Sequence, residues 1–388
     1  MLGLMFILLS TIIFGIIIPK ANGNNRKVYL FITFSIMFFY SALRGSSVGI
    51  DTSNYLDIFN EIKYMGLVNS VKTLRFEYGF IFFNYLLSFT NNAQLFLIAT
   101  SLFIFYSFSK TIYRYSYNVI ISTFLFVAFF FGRTMNTVRQ FVALSIILLS
   151  LPYLFNKKTL KFVIMVIMAS MFHSTAILFM VLTLYALPKI NINNYTLLKM
   201  NINKKTIMAT GIIVVVLIYK FDLVVNFFFA LFPQYSRFMN VTRYTATSEV
   251  NMFWVIFYGM FAILAVIYMN KKESGRPNFD ISNFSKRNYA KKPLGFFVIL
   301  LVLQIGVMYF SSKMYIANRL EIYTNISICF VFPAVLEEIF STKIFRKYPI
   351  VKYIIYFIFV LAFSVFAYSM FSQNPYRILP YNFYWNNN

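Results

Sequence analysis

The sequence predicts an all-α, polytopic integral membrane protein with about 10–13 transmembrane helices, some of them re-entrant or broken. The 388-residue chain is 60% hydrophobic and only 12% charged, which is too apolar for a soluble globular domain. Its long apolar runs approach the roughly 20 residues that a helix needs to cross a bilayer, and they include 206–219, 251–269, 294–310 and 350–371. We therefore expect residues 1–388 to form a single membrane domain.

The basic residues are interpreted as topology signals rather than as a surface for nucleic acid. The formal net charge is +24, but the basic side chains lie in short loops between apolar runs, which is the pattern of cytoplasmic loops in membrane proteins. No nucleic acid partner is therefore expected. The single cysteine, Cys329, lies inside an apolar run, so neither a disulfide framework nor a cysteine-based metal site is predicted.

The first apolar segment, Leu2 to Ile18, is expected to remain as the first transmembrane helix. It lacks the basic start and the small-residue cleavage motif of a signal peptide. The basic loops that follow are predicted to be cytoplasmic. They contain Lys20 and Arg26, Lys110 and Arg114, Lys157 to Lys161, Lys189 to Lys205, Lys271 to Lys292, and Lys343 to Lys347. Residues 270–293 are the most polar of these segments and are predicted to form a cytoplasmic loop.

This topology makes two apolar stretches unusual. Residues 76–89 start and finish outside, so they are predicted to form a re-entrant or interfacial helix within an outer loop, 44–92, that also contains an amphipathic helix. Residues 160–187 start and finish inside, so they are predicted to form two short helices that meet near His173. A competing topology makes both stretches ordinary spans, but it moves Arg139 to the cytoplasmic side. We prefer the first because it follows the positive-inside rule.

Ionisable residues near helix ends on the predicted outer side are the candidates for function, because a charge beside a membrane helix is costly. The first cluster begins with Arg44 and continues with Asp51, which is positioned to cap a helix. Tyr55 and Phe59 follow at the spacing of an amphipathic surface helix. Two interpretations of Arg44 remain open: it faces a phosphate, or it extends to the membrane interface beside a capped helix.

The second cluster places Arg133 and Arg139 at the start of an apolar run, with Gln140 beside them. A guanidinium group suits a phosphate ester because its planar fork donates two hydrogen bonds and never loses its charge. The start of a helix adds amide donors and a positive dipole end. We therefore predict that Arg139, which lies just inside the run, binds an anion.

Two more positions complete the candidate set. His173, the only histidine, is either a general base or a neutral imidazole bonded to backbone freed by a helix break, and both interpretations stay open. The third cluster contains Arg319 with Tyr323 one helical turn later, so that Arg319 is a further candidate to contact an anion.

The sequence lacks the motifs of several other enzyme classes. It has no Gly-rich phosphate loop with lysine, no HExxH, no GxSxG and no Asp-x-Asp pair for a divalent cation. With one histidine and one cysteine, no His/Cys metal site is predicted. A phosphate-linked reaction would therefore depend on arginine to stabilise the departing charge.

Taken in order, these clusters resemble those of the EpsG-like branch of bacterial Wzy polymerases, which polymerise O-antigen or exopolysaccharide repeat units. The segments that carry the resemblance are RGSSVGIDTSNY at 44–55, FEYGF at 76–80, NTVRQFVALSI at 136–146, ASMFHSTAIL at 169–178, NRLEIY at 318–323 and the terminal PYRILPYNFYW. The chain departs from the pattern at Ile50, where a small polar residue is expected. The resemblance also implies a fold similar to the GT-C-type membrane glycosyltransferases.

The resemblance implies a metal-independent glycosyl transfer, without a cofactor, at the periplasmic face of the bacterial inner membrane. A growing glycan would leave undecaprenyl pyrophosphate and join a new lipid-linked repeat unit. The pyrophosphate-binding candidates are Arg139, Arg319, Arg44, Arg133, Tyr55, Gln140 and Tyr323. The candidates to activate the acceptor hydroxyl are His173, Asp51 and Glu77. The expected partners are the lipid-linked donor and acceptor, membrane lipid and a Wzz-type chain-length regulator.

Two rival functions remain. An O-antigen ligase shares the donor chemistry but usually carries a large periplasmic loop, and the predicted outer loops here are shorter than a small domain. A flippase or transporter of lipid-linked oligosaccharide is expected to have two related halves and charges along a central cavity. The sequence has no visible halves, and its outer charges cluster at one predicted membrane face. These observations favour the polymerase.

Overall fold

Most of the chain is helical in the computed structural model. The described residues are 1–18, 23–183, 191–192, 195–196, 204–231, 249–273, 291–313 and 317–386. The chain divides into two compact units, and each is described by itself. The first unit is Met1–Leu198 with Tyr348–Asn388, and the second is Lys199–Lys347. The predicted cytoplasmic loop 270–293 lies largely outside the described residues.

The first unit begins with eight numbered helices. They are α1 (Leu2–Ile17), α2 (Gly23–Ala42), α3 (Thr52–Thr73, interrupted at Gly66), α4 (Tyr78–Ser88), α5 (Gln94–Tyr115), α6 (Val119–Phe126), α7 (Val138–Phe155) and α8 (Thr159–Ser170). Between α6 and α7 the chain forms a π-helical turn, Val127–Phe131, and a short helical turn, Gly132–Thr134. After α8 come a 3₁₀ helix, Ser174–Leu182, and the paired two-residue strands β1 (Asn191–Ile192) and β2 (Tyr195–Thr196).

The second unit is built from α-helices, and the chain then returns to the first unit. The helices of the second unit are α9 (Lys204–Tyr219), α10 (Phe221–Leu231), α11 (Met252–Glu273), α12 (Lys291–Lys313), α13 (Asn318–Asn325), α14 (Ile328–Phe340) and α15 (Lys343–Lys347). The final elements, α16 (Pro349–Gln373) and a 3₁₀ turn (Tyr384–Asn386), belong to the first unit.

Several helices are long and apolar enough to cross a bilayer. Within the described residues these are Gln94–Tyr115, Val138–Phe155, Met252–Met269, Leu294–Lys313, Asn318–Phe340 and Pro349–Gln373. The pair Lys205–Tyr219 and Phe221–Phe227, bent by 91°, adds a further span if it forms one broken helix. The predicted all-α, polytopic membrane protein is thus confirmed, and the larger predicted number of spans stays a prediction.

The two stretches with unusual predicted topology form short helices. α4 has 11 residues, which is about 16 Å at the rise of an α-helix and well short of the roughly 30 Å of bilayer hydrocarbon. α8 ends at Ser170 and the 3₁₀ helix begins at Ser174, so the predicted helix break near His173 is confirmed. The length of α4 disfavours the competing topology, in which residues 76–89 form an ordinary span. Which membrane face each loop occupies stays a prediction.

α7 is the helix that supports the candidate site, and protein surrounds it. Of its span, 78% is buried, compared with 17% for α16. Its Phe141 is fully buried and packs against Phe108 of α5, with ring centroids 6.0 Å apart. Truncating a buried phenylalanine typically costs about 3–5 kcal/mol, so such contacts hold α7 firmly. The polar side chains at its N-terminal end therefore project from a fixed support.

Candidate functional site

Arg44 is a buried structural residue of the loop between α2 and α3. Only 1% of its surface is exposed. Its guanidinium donates to the Thr52 hydroxyl at 3.2 Å, to the Ser41 carbonyl and hydroxyl, and to the Met135 carbonyl at 3.3 Å. Burial lowers the pKa of Arg44 to about 10, so it stays charged at neutral pH. Arg44 therefore does not extend to the membrane interface, since its donors join α2 to α3 and to the turn before α7. Its predicted contact with a phosphate stays a prediction.

The start of α3 is set by backbone geometry rather than by a capping side chain. Asp51 occupies the predicted cap position, but its carboxylate makes no capping hydrogen bond, which corrects that expectation. Gly49 has a φ of +97°, and a Cβ there would lie 2.8 Å from the Thr52 hydroxyl. The next amide, Ile50, donates to the Asn136 side chain at 2.6 Å. This tight turn therefore places Asp51 and the first turn of α3 beside the segment that precedes α7.

The centre of the site is an ion pair between two predicted residues that are far apart in sequence. Arg139, in the first turn of α7, donates to a carboxylate oxygen of Glu77, which immediately precedes α4. The guanidinium carbon lies 4.8 Å from the Phe76 ring centroid and 5.3 Å from that of Phe80. Aromatic faces attract cations at such distances. These contacts hold the guanidinium in a defined orientation.

Tyr55 of α3 completes the surroundings of Arg139. Its ring is buried and packs against Phe80, with centroids 5.9 Å apart. Burial raises the pKa of Tyr55, with Arg139 acting to lower it and Asp51 to raise it further. The hydroxyl therefore stays protonated at neutral pH and can donate a hydrogen bond. Tyr55 and Arg139 thus lie together, as the sequence suggested, with Asp51 close enough to act on Tyr55.

The second oxygen of Glu77 reaches the helix break that follows α8. It accepts a hydrogen bond from the Ser174 amide at 3.1 Å and lies 3.6 Å from Nδ1 of His173. The Phe80 amide donates to the Met171 carbonyl at 3.2 Å, which joins α4 to the end of α8. One carboxylate therefore connects α7, α4 and the break, and it brings His173 into the same site.

Close approach of α4 to the helix break depends on Gly79. A Cβ at this position would lie 2.7 Å from the Met171 Cβ and 2.8 Å from the Met171 carbonyl oxygen. The second of these contacts is to backbone, which cannot move aside as the end of a flexible side chain can. A larger residue at 79 would therefore push Glu77 away from His173.

The environment of Glu77 assigns its charge state. Burial acts to raise the pKa of this carboxyl, but the neighbouring His173 and the positive charge of Arg139 outweigh it and lower the pKa to about 2. Glu77 is therefore ionised throughout the neutral range. A carboxylate this weakly basic is a poor proton acceptor, so its geometry suits orientation of Arg139 and His173 better than base catalysis.

His173 is buried and its ring is oriented toward Glu77 by Nδ1. In a neutral imidazole one ring nitrogen carries the proton and the other accepts. A carboxylate near Nδ1 favours the proton there, which leaves the lone pair on Nε2. This arrangement is similar to that of a general base beside a carboxylate, but both ring nitrogens are buried, so an acceptor hydroxyl must enter the site to reach Nε2.

The remaining polar residues near α7 support the site from the C-terminal segment. Nε of Arg133 donates to the Tyr376 hydroxyl at 2.7 Å, and the Asn136 side chain donates to the Tyr376 carbonyl at 3.1 Å. Gln140 is buried in the first turn of α7. Sequence reasoning missed Tyr376 as a partner of Arg133, because the two residues lie 243 positions apart.

Arg319 and Tyr323 belong to the second unit, where both lie on α13. Tyr323 is buried and Arg319 is partly buried. Just beyond them, the Thr324 hydroxyl donates to the Gln304 side chain at 2.5 Å. The structure thus brings together Arg139, Glu77, His173 and Tyr55, whereas participation of Arg319 and Tyr323 in this site stays a prediction.

A sequence profile of the EpsG family matches residues 27–383. The chain belongs to the EpsG family. The match includes every member of the cluster around Arg139 and extends to Phe383 in the C-terminal segment. Membership of the EpsG family supports a multi-pass, glycosyltransferase-like polymerase of the exopolysaccharide or O-antigen type. A search of curated proteins and of solved structures found no match.

The part of this EpsG-family chain that the structure describes contains no group of three or more histidine, cysteine, aspartate or glutamate side chains arranged to hold a metal ion. Whether the protein acts without a metal or a cofactor stays a prediction.

Proposed function

We propose that this protein is a polysaccharide polymerase of the bacterial inner membrane, acting at its periplasmic face. It transfers a growing glycan from undecaprenyl pyrophosphate to a sugar hydroxyl of a new lipid-linked repeat unit. The observation that carries the proposal is the cluster in which Glu77 holds both Arg139 and His173. An anion-binding group and an oriented imidazole are the two functions that this transfer requires.

His173 acts on the acceptor. Nε2 takes the proton from the acceptor hydroxyl while the oxygen forms a bond to the anomeric carbon of the donor glycan. The imidazolium that forms lies beside the ionised Glu77, with Nδ1 3.6 Å from its oxygen. The carboxylate therefore stabilises the product of proton transfer without becoming protonated itself.

Arg139 acts on the leaving group. As the bond from the anomeric carbon to the pyrophosphate oxygen breaks, negative charge develops on the pyrophosphate, and a fixed guanidinium at that place stabilises it. Glu77 accepts from only one of the guanidinium nitrogens in the described contacts. Before transfer the two charges of this pair cancel. Once His173 is protonated the cluster carries one net positive charge, at the moment when the leaving group gains its own.

The first experiment replaces Arg139 and His173 separately by alanine and measures glycan polymers on gels in a strain that lacks the native gene. Removal of one oriented donor in a transition-state site typically costs about 100- to 1000-fold in rate, and loss of a general base costs about 100-fold or more. Both variants should therefore leave single lipid-linked repeats, with membrane insertion unchanged. Arg114→Ala is the matched control because Arg114 is exposed at the end of α5.

Full-length polymer from both variants would contradict the site assignment. The rival functions are separated by supplying purified protein in nanodiscs with lipid-linked repeats and no ion gradient. Extension of the repeats is the polymerase result. Transfer only to lipid A core identifies a ligase, and absence of any covalent product, with repeats still moved across vesicles, identifies a transporter. Arg319→Ala in the same assay tests the predicted contribution of the second unit.

A further inference from the structure

The C-terminal clamp, defined as residues 374–386, presents an exposed aromatic surface and bonds through Tyr376 to Arg133 and Asn136. We propose that this surface is a saccharide-binding subsite, on which a sugar ring of the glycan stacks against Trp385. The proposal rests on the proposed function, because it takes a glycan as the substrate. It adds a binding position outside the residues that would carry out the transfer.

Backbone hydrogen bonds fix the clamp to the loop between α2 and α3. Each of them joins one residue of the clamp to one residue of the loop. They are Gly45 N to Asn382 O (2.8 Å), Gly49 N to Arg377 O (2.9 Å), Ile50 N to Tyr376 O (3.1 Å) and Tyr384 N to Leu43 O (3.0 Å). Because backbone holds backbone at four points, the clamp is pre-organised, and binding to it requires little further ordering.

The aromatic rings of the clamp form a column with its base on α2. The Tyr40 ring packs against Phe383 at 6.2 Å between centroids. The Phe383 ring lies 4.6 Å from Trp385 with an angle of 2° between the planes. Trp385 is nevertheless 52% exposed. One face of the indole lies against Phe383, and about half of the Trp385 surface remains exposed, which is the area that we propose a sugar ring contacts.

The chemistry of this surface matches a sugar ring. A pyranose has a face of C–H groups and a rim of hydroxyls, and the electron-rich face of an indole attracts the positively polarised C–H groups. Tyr384 lies edge-on to Trp385, at 5.0 Å and 77°, and is 45% exposed. Its hydroxyl and the neighbouring exposed Asn386 amide offer hydrogen bonds to a hydroxyl rim.

The clamp is also continuous with the residues around Arg139. Tyr376 accepts from Asn136 through its carbonyl and from Arg133 through its hydroxyl. Asn136 precedes Arg139 by three residues, about one helical turn. A glycan that reaches Arg139 therefore has an aromatic surface within the same rigid framework. An aromatic residue that only anchors the protein in the membrane interface does not require hydrogen bonds from its segment to Arg133 and Asn136.

The alternative occupant of Trp385 is the lipid interface, where tryptophan is enriched. The chain has two tryptophans, so Trp254→Phe leaves Trp385 as the only indole and allows its fluorescence to report directly on its surroundings. The variant is placed in nanodiscs and titrated with a size-fractionated oligosaccharide from the strain's own exopolysaccharide. Polyethylene glycol of equal mass is the control, and a parallel sample contains brominated phospholipid.

We expect saturable change of the Trp385 fluorescence with oligosaccharide, none with polyethylene glycol, and little quenching by brominated lipid. Trp385→Phe, tested with labelled oligosaccharide, should retain most of the affinity, whereas Trp385→Ala should weaken binding about tenfold. Strong quenching by brominated lipid with no response to oligosaccharide would overturn the proposal and assign Trp385 to the interface.

The binding measurement separates this proposal from the proposed function because it requires no transfer reaction. Oligosaccharide binding by wild-type protein that proves unable to polymerise supports the subsite and removes the assigned reaction. Normal polymerisation by wild-type protein with no binding at Trp385 removes the subsite and leaves the reaction in place.

Discussion

The two units each contain a helix break surrounded by buried polar side chains, and the two breaks differ in charge. The charged break in the first unit, at residues 171–173, gathers Glu77, Arg139 and His173. In the second unit, residues 326–327 interrupt the span Asn318–Phe340 between α13 and α14 while keeping helical backbone angles. We call this interruption the neutral break, because the side-chain hydrogen bonds described beside it join uncharged groups. There the Thr324 hydroxyl donates to Gln304 and the Tyr258 hydroxyl donates to Asn325 at 2.8 Å.

The difference distinguishes chemistry from packing. In a membrane helix bundle, a hydrogen bond between neutral side chains stabilises the association of helices by about 1 kcal/mol. A charged group within such a bundle is much more costly and is retained chiefly where it acts on a substrate. The charged break should therefore determine activity, and the neutral break should determine how firmly its helices hold together.

The largest expected effect is at Glu77. Glu77→Gln keeps the shape of the side chain but removes the charge that orients Arg139 and His173, so polymerisation should fall by about 100-fold. Because the carboxylate stabilises protonated imidazole, the acid limb of the pH–rate profile should also move to lower pH. Steady-state assays with lipid-linked repeats between pH 5 and 9 check both. Glu61→Gln, on the exposed face of α3, is the control.

An unchanged profile in Glu77→Gln, with reduced activity, would show that Glu77 only supports the fold. Both helix breaks would then contribute to stability rather than to chemistry.

The next effect is at Gly79. Gly79→Ala places a methyl group against the Met171 backbone, which should cost about 1–3 kcal/mol of stability and lower activity about tenfold by separating Glu77 from His173. Gly259→Ala in α11 is the matched control, because a Cβ there meets nothing within 4 Å. Thermal unfolding in detergent and the polymerisation assay measure the two consequences. Equal effects of the two substitutions would contradict the close approach.

A smaller effect should appear in the pH dependence of stability. The pKa of Glu77 is lowered from 4.5 to about 2 in the folded protein, so the ionised form stabilises the fold. This stabilisation is fully present above pH 4.5 and is lost as the pH falls through about 2. Unfolding temperatures measured from pH 5 to 2 should fall less steeply in Glu77→Gln than in the wild type. Parallel curves would mean that the ion pair does not form in solution.

The smallest effect is expected at the neutral break. Thr324→Val removes the hydroxyl that bonds Gln304 and should lower stability by about 1 kcal/mol, with polymerisation within about twofold of the wild type. Differential scanning of the purified protein and the gel assay provide the comparison. A severe loss of activity with normal stability would place chemistry in the second unit and remove the distinction between the two breaks.

Apolar periodicity and charge predicted the membrane fold and the break near His173, because both depend on local composition. They also identified Arg139, Glu77, His173 and Tyr55 as candidates. The joining of Arg139 and His173 by the Glu77 carboxylate could not be predicted, since Glu77 and Arg139 lie 62 residues apart and the spacing carries no information on tertiary contact. The partners of Arg44 were missed for the same reason: Thr52 belongs to another helix, and Met135 lies in the turn before α7.

The contribution of Phe76 and Phe80 was also beyond sequence reasoning, because phenylalanine is abundant in every apolar run of this chain. Only their distances from the guanidinium distinguish these two from ordinary packing. The close packing at Gly79 could not be predicted from the sequence for a similar reason. A glycine in a helix indicates close approach only once the neighbouring backbone is located.

The enclosure of α7 has a consequence for the repetition of the reaction. Because 78% of its span is buried, α7 is held in place by the surrounding protein while the polymer lengthens by one unit in every cycle. In the proposed reaction, Arg139 is a stationary point, and the lipid carriers must exchange around it by diffusing within the bilayer. The interval between additions would then depend on membrane fluidity as much as on bond formation, and stiffer membranes should slow chain growth without altering the chemistry of a single transfer.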